Sequence, residues 1–204
     1  MIEVGTMQSV REICSAVSSC KKCDLHLYRK NAVCGTGPER AKYMIIGEAP
    51  GFQEDEKGIP FVGRSGKLLD NVLESLGIQR DEIFITNAVR CRPGMNRTPS
   101  TSEIKTCSDY LKSEIESVSP SIIIPMGNVA LRSLGYIFRK KFPKISQVSG
   151  KIIKIGEYLI HPQFHPAAIL RNPKKKVYFI EGLRRVFTYS GVPEDETGLR
   201  YVEL

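Results

Sequence analysis

No stretch of this 204-residue chain stays apolar long enough to span a bilayer, and its opening Met1-Ile2-Glu3-Val4 has neither the basic region nor the apolar core of a secretory signal. Membrane-embedded and exported classes are therefore set aside, and a cytoplasmic protein is expected. Also missing is any shift in composition that would mark a second domain. A chain of this length buries one good core, so 1–204 is read as a single domain ending in an acidic tail over 191–204. Acids are in deficit, 22 against 30 Lys and Arg, for a net charge of +8. That balance favours a polyanionic partner only weakly, because many basic proteins are merely soluble. The distribution is more telling: residues 171–185 hold Arg171, Lys174, Lys175, Lys176, Arg184 and Arg185 against the single acid Glu181. Taken alone, such a run is more often a solvated helix face.

Six cysteines in a cytosolic protein do not suggest a disulfide framework, which leaves free core thiols or metal ligands. Cys14 shares a helix-spaced apolar face with Val10, Ile13 and Val17, and reads as a small buried hydrophobe. Cys34 precedes the turn cluster Gly35-Thr36-Gly37-Pro38, has no basic partner nearby, and is also taken as structural. Both are expected to tolerate Ala or Ser. The other four form a set: Cys20-Lys21-Lys22-Cys23, then 67 residues, then Cys91 and Cys107 with 15 between them. A zinc ribbon uses two tight pairs, so one tight pair with two scattered cysteines fits an iron–sulfur cluster better. Zinc stays open as the alternative.

The organising stretch is Tyr43-Met44-Ile45-Ile46 followed by Gly47-Glu48-Ala49-Pro50-Gly51, an acidic patch, and Gly58-Ile59-Pro60-Phe61-Val62-Gly63. A buried strand that ends in Gly and Pro and opens into a polar, glycine-punctuated loop presents backbone amides at a sheet's carboxyl edge. A helix is predicted over 65–76, stopped by Gly77, with its N-terminus toward that loop. Strands follow at 83–89, where Asn87 is the odd polar residue, and at 121–126. Helices are predicted over 102–118 and 127–134. Residues 151–160 read as a hairpin whose second arm becomes the fourth main strand, delivering His161-Pro162-Gln163-Phe164-His165-Pro166. The prolines deny a helical zinc pair and leave His165 free for other work. Strands alternating with helices predict a three-layer α/β/α fold with a mainly parallel four-stranded sheet, bringing the 48–61 loop, Asn87 and His165 to one edge. Gly58 to Ser65 nearly matches a P-loop, but the strand ends too early and Pro60 lacks the amide proton a phosphate cradle needs.

Taken together, Gly47-Glu48-Ala49-Pro50-Gly51 with Glu54-Asp55, Gly58-x-Pro60-Phe61-Val62-Gly63, Thr86-Asn87, His165-Pro166-Ala167-Ala168 and the four-cysteine set resemble the family 4 uracil-DNA glycosylases, the iron–sulfur branch of that superfamily. The resemblance runs from Cys20 to about Asn172. It implies hydrolysis of the deoxyuridine glycosidic bond in single- or double-stranded DNA, with the base flipped into a pocket and an abasic site left behind. By the same resemblance Phe61 stacks on the base, the Asn87 amide reads N3–H and O4, and Glu54 excludes thymine at carbon 5. His165 donates to O2 as charge develops on the leaving base, and amides of Glu48, Ala49 and Gly51 hold the base. Ala49 stands where better-known relatives carry an aspartate that activates water, which makes Glu48 the candidate for that task. Ile169-Leu170-Arg171 is similar to the segment that enters the duplex, with Arg64, Lys67, Arg171 and Lys174 to Lys176 as phosphate contacts. Cys20, Cys23, Cys91 and Cys107 would hold a structural [4Fe-4S] cluster. A monomer is expected, and whether a sliding clamp binds the tail is left open. The rival is a non-catalytic cysteine–metal module that binds nucleic acid, in which Phe61, Asn87 and His165 have no assigned work. Release of free uracil from a single-stranded oligonucleotide, without added metal or nucleotide, separates the two.

Overall fold

A computed structural model of the protein describes residues 9–188, so the acidic tail and the first eight residues lie outside the description. The apolar runs become strands β1 (Tyr43–Gly47), β2 (Ile83–Asn87) and β3 (Ile122–Pro125), and the hairpin becomes β4 (Ile153–Ile155) and β5 (Tyr158–Ile160). They form one sheet in the order β2-β1-β3-β5-β4. All neighbours run parallel except β4 and β5. The expected sheet of four gains a fifth strand, because the hairpin's first arm pairs Ile153 to Ile160 and extends the edge instead of standing outside it.

Helices cover both faces, and the alternation of the strands decides which side chain goes where. Met44 and Ile46 of β1, with Phe84 and Ile123, pack toward helices α4 (Thr101–Val118) and α5 (Asn128–Phe138). Ile45, Ile85 and Ile124 turn the other way, onto α3 (Arg64–Ser75), α7 (Pro166–Arg171) and α8 (Lys176–Thr188). Helix α1 (Val10–Ser18) is started by a reciprocal capping box between Ser9 and Glu12 and lies against α4. Two short helices escaped the periodicity argument. One, α2 (Phe52–Lys57), occupies the acidic part of the central loop, and the other, α6 (Ile145–Val148), precedes β4. Six and four residues are too few to show a helical repeat. Among the described residues no helix is long and apolar enough to cross a membrane.

β1 lies at the centre of the parallel run, with β2 on one side and β3 on the other. The chain passes from β1 to β2 on one side and from β3 toward β5 on the other, so the carboxyl ends of β1 and β3 flank the place where an open α/β sheet forms a crevice.

Candidate active site

Gly47 ends β1 directly opposite Asn87, which ends β2. A side-chain carbon on Gly47 would collide with Asn87 Oδ1 and stand 2.6 Å from the Phe61 ring, so glycine here is the slot in which amide and ring converge. The hydrogen bond to Asn87 runs to its backbone: Arg90 Nη1 donates to its carbonyl oxygen at 2.6 Å. Its side-chain amide has no protein partner among the described residues and is left free to read a ligand.

Phe61 is buried with its backbone at φ 54°, a left-handed conformation that costs an aromatic residue roughly 1–3 kcal/mol. Its surroundings fix it there. Any side chain on Gly66 would run into the Phe61 carbonyl, and Arg80 Nη2 donates to the Pro60 carbonyl at 2.7 Å. Glu54 does most of the fastening: Oε1 accepts from the amides of Val62 (3.0 Å) and Gly63 (2.7 Å), and Oε2 accepts from Gly51 (3.1 Å). This acid is thus buried, and it ties the two halves of the loop together. The amides of Val62 and Gly63 are spent on it, which takes two donors from the near-match to a P-loop, and the Gly51 amide, expected to hold the base, is spent on it as well.

His165 caps α7, its Nδ1 accepting from Ala167 N at 3.2 Å, which leaves the ring proton on Nε2. The ring stacks on Phe61 with centroids 5.8 Å apart, and a side-chain carbon on Gly127, at φ 92°, would stand 3.4 Å from His165 Cβ. Part of its surface is open, yet enough protein surrounds the ring that burial, with a lesser push from Arg171, lowers its pKa to about 4. It is a neutral donor near pH 7. Burial raises the Glu48 carboxyl above its usual range, opposed by Arg171 and Arg132, while Ala49 is half-buried beside it.

Cys20, Cys23, Cys91 and Cys107 are the free cysteines, and all four line one small cavity with Val17, Arg90 and Tyr110. Cys14 and Cys34 correct the expectation of six free thiols: they are joined as a disulfide that pins α1 to the chain before β1. Spacing could not reveal this, because a pairing twenty residues apart depends on how α1 docks. Among the described residues no three His, Cys, Asp or Glu side chains are gathered to hold one metal ion. The four thiols stand around a cavity instead. Burial raises the pKa of Cys23 and Cys91 and takes Cys107 up to about 12, while Arg29 Nη1 donates to Cys91 Sγ at 3.1 Å. Four thiols around one cavity, three of them pushed toward the neutral form by burial and one with a cationic donor at its sulfur, suit a group that brings its own positive charge.

The uracil-DNA glycosylase superfamily model matches residues 34–186. The chain is 45% identical over 188 residues to a type-4 uracil-DNA glycosylase of Saccharolobus solfataricus, covering 88% of this chain and 86% of that one. It is 42% identical over 199 residues to the Sulfurisphaera tokodaii type-4 enzyme (94% and 89%) and 38% identical over 184 residues to that of Archaeoglobus fulgidus (88% and 92%). The chain belongs to the type-4 branch of the uracil-DNA glycosylase superfamily.

The positions that the family resemblance assigns to DNA fall on one face beside the pocket. Arg64 and Lys67 are exposed on the first turn of α3, which packs against α7, and Arg171, Lys174 and Lys176 are exposed at the end of α7 and just beyond. Lys175 is half-buried, its Nζ 4.5 Å from the centre of the Phe164 ring. The apolar wedge narrows to one residue: Leu170 is 44% exposed, whereas Ile169 is 2% exposed and belongs to the core. Sequence reasoning missed a buried network beneath this type-4 pocket. Arg90 donates to Asn87 O, to Thr86 Oγ1 and to Glu114 Oε2 (2.7 Å), Thr86 Oγ1 donates to Glu114 Oε2 at 2.8 Å, and Arg90 also lines the cysteine cavity. Residues 24 apart leave no local signature for such a pairing.

Proposed function

We propose that this chain, acting as a monomeric single-domain enzyme, removes uracil from DNA by hydrolysing its N-glycosidic bond. The observation that carries this is the convergence of Phe61, the Asn87 amide and His165 around Gly47 at one sheet edge. With uracil on Phe61, the Asn87 carbonyl oxygen accepts from N3–H and its amide nitrogen donates to O4, a pattern cytosine cannot match. As the bond from N1 to the sugar breaks, its electron pair moves into the base, and the Nε2–H of neutral His165 stabilises the charge on O2. Water adds to the sugar carbon and the proton it loses goes to the departing uracil anion, with Glu48 the candidate to orient that water: its carboxyl is pushed up by burial and opposed by Arg171 and Arg132. Glu54 holds the loop with its oxygens while its stem is the candidate barrier to the thymine methyl group. Leu170 fills the gap left by the flipped base, and Arg64, Lys67, Arg171 and Lys174 to Lys176 take up phosphates.

One tight pair, Cys20 and Cys23, with the scattered Cys91 and Cys107 around a single cavity supports a [4Fe-4S] cluster over zinc. Bound there, the cluster supplies no electron to a hydrolysis and acts as a structural tie. Cys20 and Cys23 follow α1 and Cys107 lies on α4, so four thiolates would lock the N-terminal segment onto the helix beside Arg90. Whether a sliding clamp takes part is a matter for the tail, outside the described residues.

The test is single-turnover excision by Asn87→Asp. Two acceptors then face O4, itself an acceptor, at a cost of about 1–3 kcal/mol or more, which is at least a tenfold loss for uracil and a smaller one for cytosine. Wild-type uracil rates with an unchanged melting temperature would remove Asn87 from the site.

A further inference from the structure

Between Glu116 and Glu157 the sequence contains no acidic residue, yet it contains Arg132, Arg139, Lys141 and Lys144. The fold gathers these four along a groove of about 590 Å³ between α5 and the 139–144 segment. All four are exposed, and two half-buried aromatic rings, Tyr136 and Phe142, lie among them. The groove is built, not incidental. The αL residue Arg139 ends α5, and the chain folds back so that Lys140 N donates to the Gly135 carbonyl at 3.1 Å. Its far wall is fastened to the start of α5, where Asn128 Oδ1 accepts from Ile145 N at 2.8 Å.

The groove starts near the pocket: a side-chain carbon on Gly127, which caps α5, would stand 3.4 Å from His165 Cβ, and Arg132, one turn into the helix, is near enough to Glu48 to oppose the rise in its pKa. A cationic track punctuated by flat rings is what a single strand of nucleic acid requires: charges for the phosphates, faces on which unpaired bases stack. Duplex DNA keeps its bases stacked on one another and has no use for Tyr136 or Phe142.

We propose that the groove between α5 and the 139–144 segment binds the unpaired DNA strand flanking the extruded nucleotide, as a second contact surface separate from the Leu170 face. The proposal rests on the reading of this chain as a DNA glycosylase and adds a track for the strand that leaves the pocket. It gives single-stranded substrate an advantage from stacking that duplex substrate cannot share.

The test is Lys141→Glu combined with Lys144→Glu, compared with Lys112→Glu combined with Lys154→Glu, a pair of equal charge change that lies off the groove. Binding is measured by anisotropy on a uracil-free single strand of roughly 30 nucleotides, longer than one binding site of this kind. Excision is measured on the same strand carrying a central uracil, and on a uracil trinucleotide too short to reach the groove. The groove variant should bind the long strand at least about tenfold more weakly at moderate salt, with a salt slope lower by about 1.4 for two lost single-strand phosphate contacts, and should process the trinucleotide at the wild-type rate. An unchanged slope, an equal loss in the control pair, or an equal loss on the trinucleotide would each overturn it. Absence of uracil release by wild-type protein would instead strike the glycosylase reading, while the anisotropy arm would still decide the groove.

Discussion

The base pocket and the cysteine cavity meet at Arg90, and they are completed by opposite means. Around the pocket the chain supplies its own closure: one Glu54 carboxylate accepts three backbone amides and holds Phe61 in a conformation it would not choose alone. In the cavity the chain's own surroundings resist the charged state, since burial raises three of the four thiols, with Arg29 opposing it at Cys91 and Arg90 at Cys107. A site for a transient ligand is finished before the ligand comes. A site for a resident group is left unfinished until that group arrives. The lesson is that preorganisation appears where turnover demands it, whereas a permanent guest can take part in folding.

The most severe way to break this contrast is to remove what the two regions share. Glu114→Ala leaves Arg90 buried without its partner, which should cost about 3–5 kcal/mol in denaturant unfolding and lower both uracil excision and iron content. A loss below about 1 kcal/mol would mean that the Arg90 to Glu114 pair is replaceable by water.

Glu54→Gln should sharpen the contrast by striking one side only. The neutral amide accepts more weakly from the Gly51, Val62 and Gly63 amides, costing about 1–3 kcal/mol and roughly tenfold in excision. The visible absorbance of the cysteine site should stay as it is. Its loss would show that the two regions are one cooperative unit.

The smallest effect on excision is expected from pH, over the range above about pH 5. Burial lowers both His165 and His161 from 6.5 to about 4, so between those values the unfolded chain binds protons that the folded chain refuses. Stability is therefore full above about pH 6.5 and falls as pH drops toward 4, and excision should stay nearly level down to about pH 5 before declining as His165 becomes charged. A decline centred near 6.5 would place the His165 ring in water.

The strands were legible because each is a short apolar run closed by Gly, Pro or Asn. Asn87 stood out because a polar residue at the end of such a run needs a reason. The α3 helix was expected from 65 to 76 and spans Arg64–Ser75, since Leu69, Val72 and Leu73 recur at helical spacing and Gly77, at φ 74°, ends it. What escaped is non-local. Glu54 carries no mark that separates it from Asp55 or Glu56 until Gly51, Val62 and Gly63 are brought around it. Arg90 and Glu114, or Cys14 and Cys34, meet only through the packing of α1 and α4 on the sheet. The basic groove eluded reading for a related reason: its residues are spread along a helix and a loop, and only the fold-back at Gly135 lines them up.

The proposed iron–sulfur cluster would not distinguish one cysteine from another by its place in the chain. Six thiols would allow many wrong foursomes, including ones that use Cys14 or Cys34 and strand a proper ligand. By bonding to each other those two leave the competition, and the loop they close contains Cys20 and Cys23. The bridge is thus a sorting device as much as a brace: it reduces the choice of ligands to a single set and offers that set to the metal with its N-terminal half already tethered.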